Sequence, residues 1–271
     1  MLNVLAKPPA KEVFTVFDFE TTGLDYKNEQ VVEIAAIRTD LTQELGRMHI
    51  LVSLKDGKVL PDFLKDNTDL RDHHLVNGMG EHQALIALMA FMGNSTVVAH
   101  YAPFDFAYLY KAFIIPESFL CTRSIERYLN PNESASLAPT AERRGVKLEG
   151  AHRAMNDIEA TIGVLKSQLE EIEARGLKRA HIQNMIVDSP ERPNKFTPQH
   201  AKVKTPYEFR LVGKRVKVTQ TGNDFGKEGT IVEAYINGKV TGETEGIQII
   251  VFVTDDGDQL VKHVNHVEVK F

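Results

Sequence analysis

Residues 13–24 read VFTVFDFETTGL, and the expectations for the N-terminal part of the chain start from them. The apolar and β-branched residues 13–17 predict a buried strand. Side chains at positions i and i+2 of a strand lie on the same face, so Asp18 and Glu20 are expected to point the same way at its end. Two carboxylates held this close favour a divalent cation between them, although an isolated Asp-x-Glu is more often a pair of exposed acids.

The sequence around this strand alternates apolar runs with helical patterns. Turn-type residues between the first two apolar runs predict a hairpin, and a proline suited to a first helical turn opens one of the helices. Further strands are predicted at residues 31–38, 48–54 and 96–99, and helices at 81–92, 103–113 and 158–169. This order predicts an α/β domain over residues 1–176, with helices flanking a mixed sheet.

The rest of the chain has a different texture. Residues 177–206 contain four prolines and no sustained apolar period, so a linker is predicted there. Short β-type runs, with Asn-Gly and Asp-Gly between them, predict a small all-β domain over residues 207–271. Residues 226–232, GKEGTIV, resemble a turn of KOW or SH3-like barrels, which implies a barrel that binds nucleic acid or protein. Substrate binding, partner docking and self-association remain open as its role.

Composition restricts the class of protein. The chain has 271 residues, 42% of them hydrophobic, and a formal net charge of −5. No stretch approaches the roughly 20 apolar residues that span a bilayer, and no signal peptide is recognisable. With a single cysteine, Cys121, no internal disulfide forms, so we expect a cytoplasmic protein without a membrane partner. The net charge argues mildly against a nucleic-acid partner, but residues 176–206 have an excess of Lys and Arg that either guides a strand or is solvated.

Two other segments place acids in unusual surroundings. Asp105 lies in AHYAPFDF, residues 99–106, between aromatic residues of a predicted helix, and burying a carboxylate without a partner is costly. Asp157 ends HRAMND, residues 152–157, at the predicted start of a helix and five residues after His152. Taken separately, Asp105 is equally well a satisfied buried acid, and Asp157 is more often a helix N-cap.

Together, the three acidic segments resemble the motifs of the DEDDh family of exonucleases, which includes the proofreading epsilon subunit of bacterial DNA polymerase III and RNase T. Residues 18–24, DFETTGL, are similar to the first motif, residues 99–105 to the second and residues 152–157 to the third, in the order that the family has them. The resemblance covers about residues 12–170 and implies an RNase H-like fold.

The same resemblance implies a site and a mechanism. Two Mg²⁺ or Mn²⁺ ions would clamp the scissile phosphate, and a histidine would act as general base. The implied metal ligands are Asp18, Glu20, Asp105 and Asp157, and the implied base is His152. By analogy, Thr21 and Leu24 would lie beside the terminal nucleotide. Phe104 and Tyr101 are further candidate substrate contacts. Phe104 either stacks on a base or belongs to the core, and Tyr101 stands where the family often has Asn.

We therefore predict a metal-dependent 3′→5′ exonuclease that acts on DNA, at single-stranded or frayed ends, and releases 5′-mononucleotides. An RNA 3′→5′ exonuclease is the nearest alternative, because local contacts sense the 2′-OH. A proofreading subunit that works beside a polymerase or another replication protein is a further alternative. A non-catalytic module is disfavoured, since all five catalytic positions are intact.

Overall fold

The apolar run of residues 13–17 lies largely within strand β1 (Phe14–Thr21) of the computed structural model, which describes residues 11–148, 154–188, 196–238 and 246–271. Burial along β1 is nearly continuous, which is typical of a strand that is covered on both faces. The two exceptions are Asp18 and Glu20, which are half-buried. The strand therefore holds both carboxylates within reach of solvent while the residues between and before them are fixed in the core.

The helices and strands follow the alternation that the sequence predicts. Up to residue 148 they are, in order, β1, β2 (Val31–Thr39), β3 (Glu44–Leu51), α1 (Asp62–Asn67), α2 (Asp72–Leu75), α3 (Glu81–Met92), β4 (Thr96–Ala99), α4 (Ala102–Leu109), β5 (Phe119–Cys121), α5 (Thr122–Leu129) and α6 (Leu137–Arg143). From residue 154 they are α7 (Ala154–Ala174), β6 (Met185–Val187), β7 (Lys202–Lys204), α8 (Pro206–Leu211), β8 (Arg215–Val218), β9 (Glu228–Asn237), β10 (Gln248–Thr254), β11 (Gln259–His263) and β12 (Val267–Lys270). These elements form two units, one of residues up to His100 with Leu137–Ser167, the other of Tyr101–Ser136 with Gln168–Phe271.

A mixed sheet runs through the first unit. Strand β1 pairs antiparallel with β2 and parallel with β4, and β2 pairs antiparallel with β3. The predicted hairpin and the predicted mixed sheet with helices are thus confirmed. Val16, Ile34 and Val98, from three of these strands, are fully buried, and burial of a side chain of this size stabilises the fold by roughly 1.5–3 kcal/mol.

The ladder between β1 and β2 changes register at the end of β1. Glu20 lies opposite Glu33, whereas Thr21 lies opposite Val31, so β2 has one residue more than β1 at this point. A β-bulge of this kind bends the strand and changes the direction of the side chains that follow. It separates the carboxylate-bearing end of β1 from the turn that begins at Thr21.

The predicted helices are present, with small differences at their ends. Pro103 lies in the first turn of α4, whose regular part ends at Leu109 and is followed by a 3₁₀ turn and then by Phe113 in the left-handed conformation. Helix α7 ends at Ala174, and Gly176 has a positive φ of 67°, as expected for a residue that follows a helix C-terminus. In the described ranges no helix is both long and apolar enough to cross a membrane.

A second, all-β sheet forms the C-terminal part of the second unit. Its strand order is β11-β10-β9-β7-β6. Outside this order, β8 pairs with both β12 and β9. The four strands predicted between residues 215 and 264 are all present. Residues 177–206, predicted as a linker, contribute β6 and β7, and the hydrogen bonds from β7 to β9 make this segment part of the sheet. The SH3-like barrel and the predicted domain boundaries stay predictions.

Gly78 allows two backbone segments of the first unit to approach closely. Met79 N donates to Leu51 O at 2.9 Å, and Ser53 N donates to Met79 O at 2.9 Å. A Cβ atom on Gly78 would lie only 2.5 Å from the backbone nitrogen of Ser53, which cannot move aside as a flexible side chain would. The glycine is therefore required where this loop docks beside the end of β3.

Replacement of Gly78 by alanine is expected to lower the free energy of unfolding by about 1–3 kcal/mol, the usual cost of an overpacked site. Thermal unfolding followed by circular dichroism measures this change. Gly46→Ala in β3 is the matched control, because its Cβ would lie 3.4 Å from the nearest atom, on the ring of Phe91. Equal melting temperatures for the two variants would show that the close approach at Gly78 is unimportant.

Candidate active site

Two carboxylates share one face at the end of β1. Asp18 and Glu20 are half-buried, whereas Phe17 and Phe19 are buried, so the strand alternates between core and accessible side chains at this point. Fixing Phe17 and Phe19 in the core also fixes the direction of the acids between and after them. The predicted common orientation of Asp18 and Glu20 follows from this alternation.

A third carboxylate lies beside this pair and was missed by the sequence analysis. Glu33 of β2 is directly opposite Glu20, and residues directly opposite in an antiparallel pair share a face of the sheet. Its side chain is only 1% exposed, and its Oε1 lies 2.6 Å from Nε2 of His49. His49 of β3 is opposite Ala35 of β2, and Ala35 is in turn opposite Asp18 of β1. A lone Glu in the apolar run VVEIAAI was the signal that would have found it.

The turn after β1 is held by the hydroxyl of Thr22. This hydroxyl donates to Oε2 of Glu29 at 2.5 Å and accepts from the backbone nitrogen of Gln30 at 3.0 Å. The bond from Thr22 holds the pKa of the Glu29 carboxyl below its ordinary value. Thr21 Oγ1 donates to Gly23 O at 2.7 Å, and a Cβ on Gly23 would lie 2.8 Å from Cγ of Glu29. The turn is thus rigid up to Gly23.

Leu24 follows this rigid turn and is 66% exposed. A large apolar side chain held in solvent beside two carboxylates is available to contact a ligand that sits at the end of β1. Thr21, the other residue expected beside a terminal nucleotide, is buried, and its hydroxyl bonds within the turn. Contact of either residue with a nucleotide stays a prediction.

The second motif forms the start of α4 in the second unit. Asp105 lies in the first turn of the helix and is only 3% exposed, so the carboxylate is deeply buried, as its aromatic surroundings predict. Phe106 is fully buried, with its ring centroid 5.0 Å from that of Phe119, and belongs to the core. Phe104 is half-buried and lies 5.3 Å from the ring of Tyr108. Of the two phenylalanines, only Phe104 retains accessible surface for a base.

Tyr101 is buried and lies just before α4. The guanidinium carbon of Arg123 is 5.5 Å from the centroid of its ring, and Arg123 is itself buried. A cation over an aromatic face attracts the ring quadrupole. Within the second unit this contact gives Tyr101 a structural role, and its predicted role as a substrate contact is not needed to explain its place.

Of the third motif, the structure describes residues 154–157, which form the start of α7. Asp157 lies in the first turn of α7 and is half-buried, with the fully buried Ala154 and Ile158 on either side of it. A carboxylate near a helix N-terminus is stabilised by the partial positive charge there. His152, the predicted general base, lies outside the described residues.

The structure assigns three of the predicted ligands, Asp18, Glu20 and Asp157, to the first unit and Asp105 to the second. Across the described ranges, no cluster of three or more His, Cys, Asp or Glu side chains is close enough to hold a metal ion. Convergence of the four acids on metal ions stays a prediction. Cys121 is fully buried, and burial raises the pKa of its thiol.

A family model described as Exonuclease matches residues 15–165, more than half of the chain, and this span includes all three acidic motifs. The chain belongs to this exonuclease family. The resemblance drawn from the three motifs is thereby confirmed.

Curated relatives of this exonuclease chain include two proteins named for DNA polymerase III. It is 32% identical over 161 residues to the DNA polymerase III PolC-type of Clostridium perfringens, which covers 56% of this chain and 11% of that protein. It is 27% identical over 169 residues to the DNA polymerase III subunit epsilon of Aquifex aeolicus, which covers 59% of this chain and 81% of that protein. The chain thus spans a small part of the first relative and most of the second.

Among solved structures, Exonuclease I of E. coli in complex with a dT13 oligonucleotide shares the fold. The TM-score is 0.55 at 16% identity, and the match covers 94% of this exonuclease chain and 64% of that chain. At this identity the likeness concerns the fold alone. Since the coverage extends well beyond residues 15–165, the shared fold includes residues of the C-terminal sheet.

Replacement of Thr22 by valine is expected to lower the free energy of unfolding by about 1–3 kcal/mol, because the buried backbone nitrogen of Gln30 loses its acceptor. Thr42→Val is the matched control. The Thr42 hydroxyl also donates to a carboxylate at 2.5 Å, that of Asp40, but is exposed, so a change within about 0.5 kcal/mol is expected. Chemical denaturation of both variants measures the difference, and similar losses would contradict the role of Thr22.

Proposed function

We propose that this chain is a metal-dependent 3′→5′ exonuclease that hydrolyses DNA from its 3′ end and releases 5′-mononucleotides. The observation that carries the proposal is the pair Asp18 and Glu20, fixed on one face at the end of a buried strand inside the span that matches the exonuclease family. Asp105 and Asp157, at the other two family motifs, supply the remaining carboxylates.

The four acidic side chains have the chemistry of ligands for divalent metal ions. Asp18, Glu20, Asp105 and Asp157 offer hard, anionic oxygen atoms, which Mg²⁺ and Mn²⁺ prefer. Both acids of β1 are partly accessible, and Glu33 adds a third carboxylate to their face. When bound, two such ions supply charge neutralisation for the phosphate and for the leaving oxygen and promote ionisation of the attacking water.

The protein groups then have separate tasks. The four carboxylates would hold the cations. The charge of the cations would then allow the acidic end of β1 to accept a phosphodiester. His152 takes the proton of the attacking water as general base, because an imidazole titrates near neutral pH. Leu24, exposed at the turn, contacts the terminal nucleotide, and the partly accessible ring of Phe104 is available for a base. Thr21 and Tyr101 are the other two candidate substrate contacts.

DNA is favoured over RNA as the substrate. The Aquifex aeolicus relative is named as a subunit of DNA polymerase III, and the matched Exonuclease I structure holds an oligothymidylate. The Aquifex aeolicus relative also supports work beside a polymerase or another replication protein. Rates on labelled DNA and RNA oligomers of equal sequence test the choice, and faster shortening of RNA from its 3′ end would favour the alternative.

Asp18→Asn and Asp157→Asn are each expected to lower kcat roughly a thousandfold or more, because each removes a ligand charge while keeping the shape. Shortening of 5′-labelled single-stranded DNA with Mg²⁺ measures the effect. EDTA is expected to stop the reaction, and added Mn²⁺ or Mg²⁺ to restore it. The matched control is Asp56→Asn, an exposed carboxylate in a turn of the first unit. Wild-type turnover in the Asp18 or Asp157 variant would overturn the metal assignment.

His152→Ala is expected to lower kcat by about 10²–10⁴-fold, the usual contribution of a general base, with metal binding retained. Mn²⁺ titration of the variant by isothermal calorimetry checks that the carboxylates still bind the ions. His82, an exposed histidine on α3, is the control position, and His82→Ala should be as active as the wild type. A His152 variant that is fully active would assign the proton transfer to another group.

A further inference from the structure

An open cleft of about 450 Å³ lies on the second unit, apart from the acidic motifs in the sequence. It is lined by Tyr207 and Arg210 of α8, Lys214 before β8 and Phe271 after β12. Phe271 is 82% exposed and Tyr207 is 43% exposed. The lining residues are all aromatic or cationic, so the cleft presents two accessible rings beside two positive charges.

The two cations of the cleft differ from the other cations of this sheet region. Arg215, Lys217, Lys227, Lys262 and Lys270 each form an ion pair with Asp or Glu. Lys202 and Lys204 share Glu233. Across the described residues between 202 and 271, only Arg210 and Lys214 form no ion pair, although Arg210 Nε donates to Pro206 O at 3.2 Å.

This distribution of charge selects a kind of ligand. Accessible rings bind unstacked bases whatever their identity, and nearby cations bind the phosphates that join them. We propose that the cleft lined by Tyr207, Arg210, Lys214 and Phe271 is a binding surface for single-stranded nucleic acid. Duplex ends fit poorly, since their bases are already stacked on one another.

The acidic composition of residues 207–271 does not oppose this proposal. Most carboxylates near the sheet are engaged by the paired cations, and exposed charges are screened over about 8 Å at physiological ionic strength. The charges that a phosphate meets in the cleft are therefore those of Arg210 and Lys214. The surface gives the second unit a task, capture of the strand, that complements the hydrolysis proposed above and rests on that proposed function only for its substrate.

The test uses the full chain and an oligothymidylate of about 20 nucleotides, with binding measured by fluorescence anisotropy in EDTA so that no hydrolysis occurs. Tyr207→Ala with Phe271→Ala is expected to weaken binding roughly fivefold or more. Arg210→Glu with Lys214→Glu is expected to weaken binding by a similar factor. It should also reduce the slope of log K against log salt concentration by roughly 1.4, since each phosphate contact contributes about 0.7 to that slope. Matched controls on the same unit are Phe225→Ala, an exposed ring, and Lys217→Glu, a paired cation.

Hydrolysis of a thymidine dinucleotide with Mg²⁺ separates this surface from the active site. The cleft variants should cleave the dinucleotide at the wild-type rate while their KM for the long strand rises. Unchanged binding of the long strand in both cleft variants, or equal losses in the two controls, would overturn the cleft. Tight binding of poly-glutamate or blunt duplex in place of the single strand would overturn the choice of ligand. If the cleft variants lose strand binding but the wild-type chain hydrolyses neither substrate, the binding proposal is supported and the exonuclease proposal is contradicted.

Discussion

The structure depends on holding two like charges on one face of a strand that cannot move. Asp18 and Glu20 are anchored by buried neighbours on β1, and β1 is hydrogen-bonded to a strand on each side. Positions i and i+2 of a strand lie about 7 Å apart, and two unit charges at that separation repel by about 2 kcal/mol at an effective dielectric constant near 20. A flexible loop would relieve this repulsion by turning one side chain away. The central strand prevents that, so the repulsion is available to be offset by cations.

Glu33 shows how the sheet extends this constraint beyond one strand. It places a buried carboxylate beside Glu20, and His49 reaches across from the neighbouring strand to hydrogen-bond with it. Acid, acid and histidine thus come from three consecutive strands that share a face. The rigidity of the acidic end is a property of the sheet and not of the DFE motif alone.

Local patterns predicted most of the helices and strands before residue 176, since the two-residue period of β1 and the proline of α4 act over a few residues. The apolar run around Glu33 marks this acid as unusual, but its position opposite Glu20 was not predictable, because strand register cannot be read from one sequence. Strands β6 and β7 have three residues each, too few for a period to be recognised. Helix α8 did carry a readable signal, the capping box of Thr205 and Glu208, but the prolines around it favoured a linker. The proposed metal ligands were identified from motif order, and their convergence in space is beyond what spacing along the chain determines.

Because of the β-bulge at the end of β1, a change in chain length has a different effect before the bulge than after it. Upstream, one inserted or deleted residue between Phe14 and Glu20 reverses the facing of every later side chain on the strand and sends the carboxylates into the core. Downstream, the extra residue of β2 has already broken the alternation, and the chain continues as a turn. In related chains we therefore expect no change of length between Phe14 and Glu20, whereas the turn after the bulge tolerates such changes better.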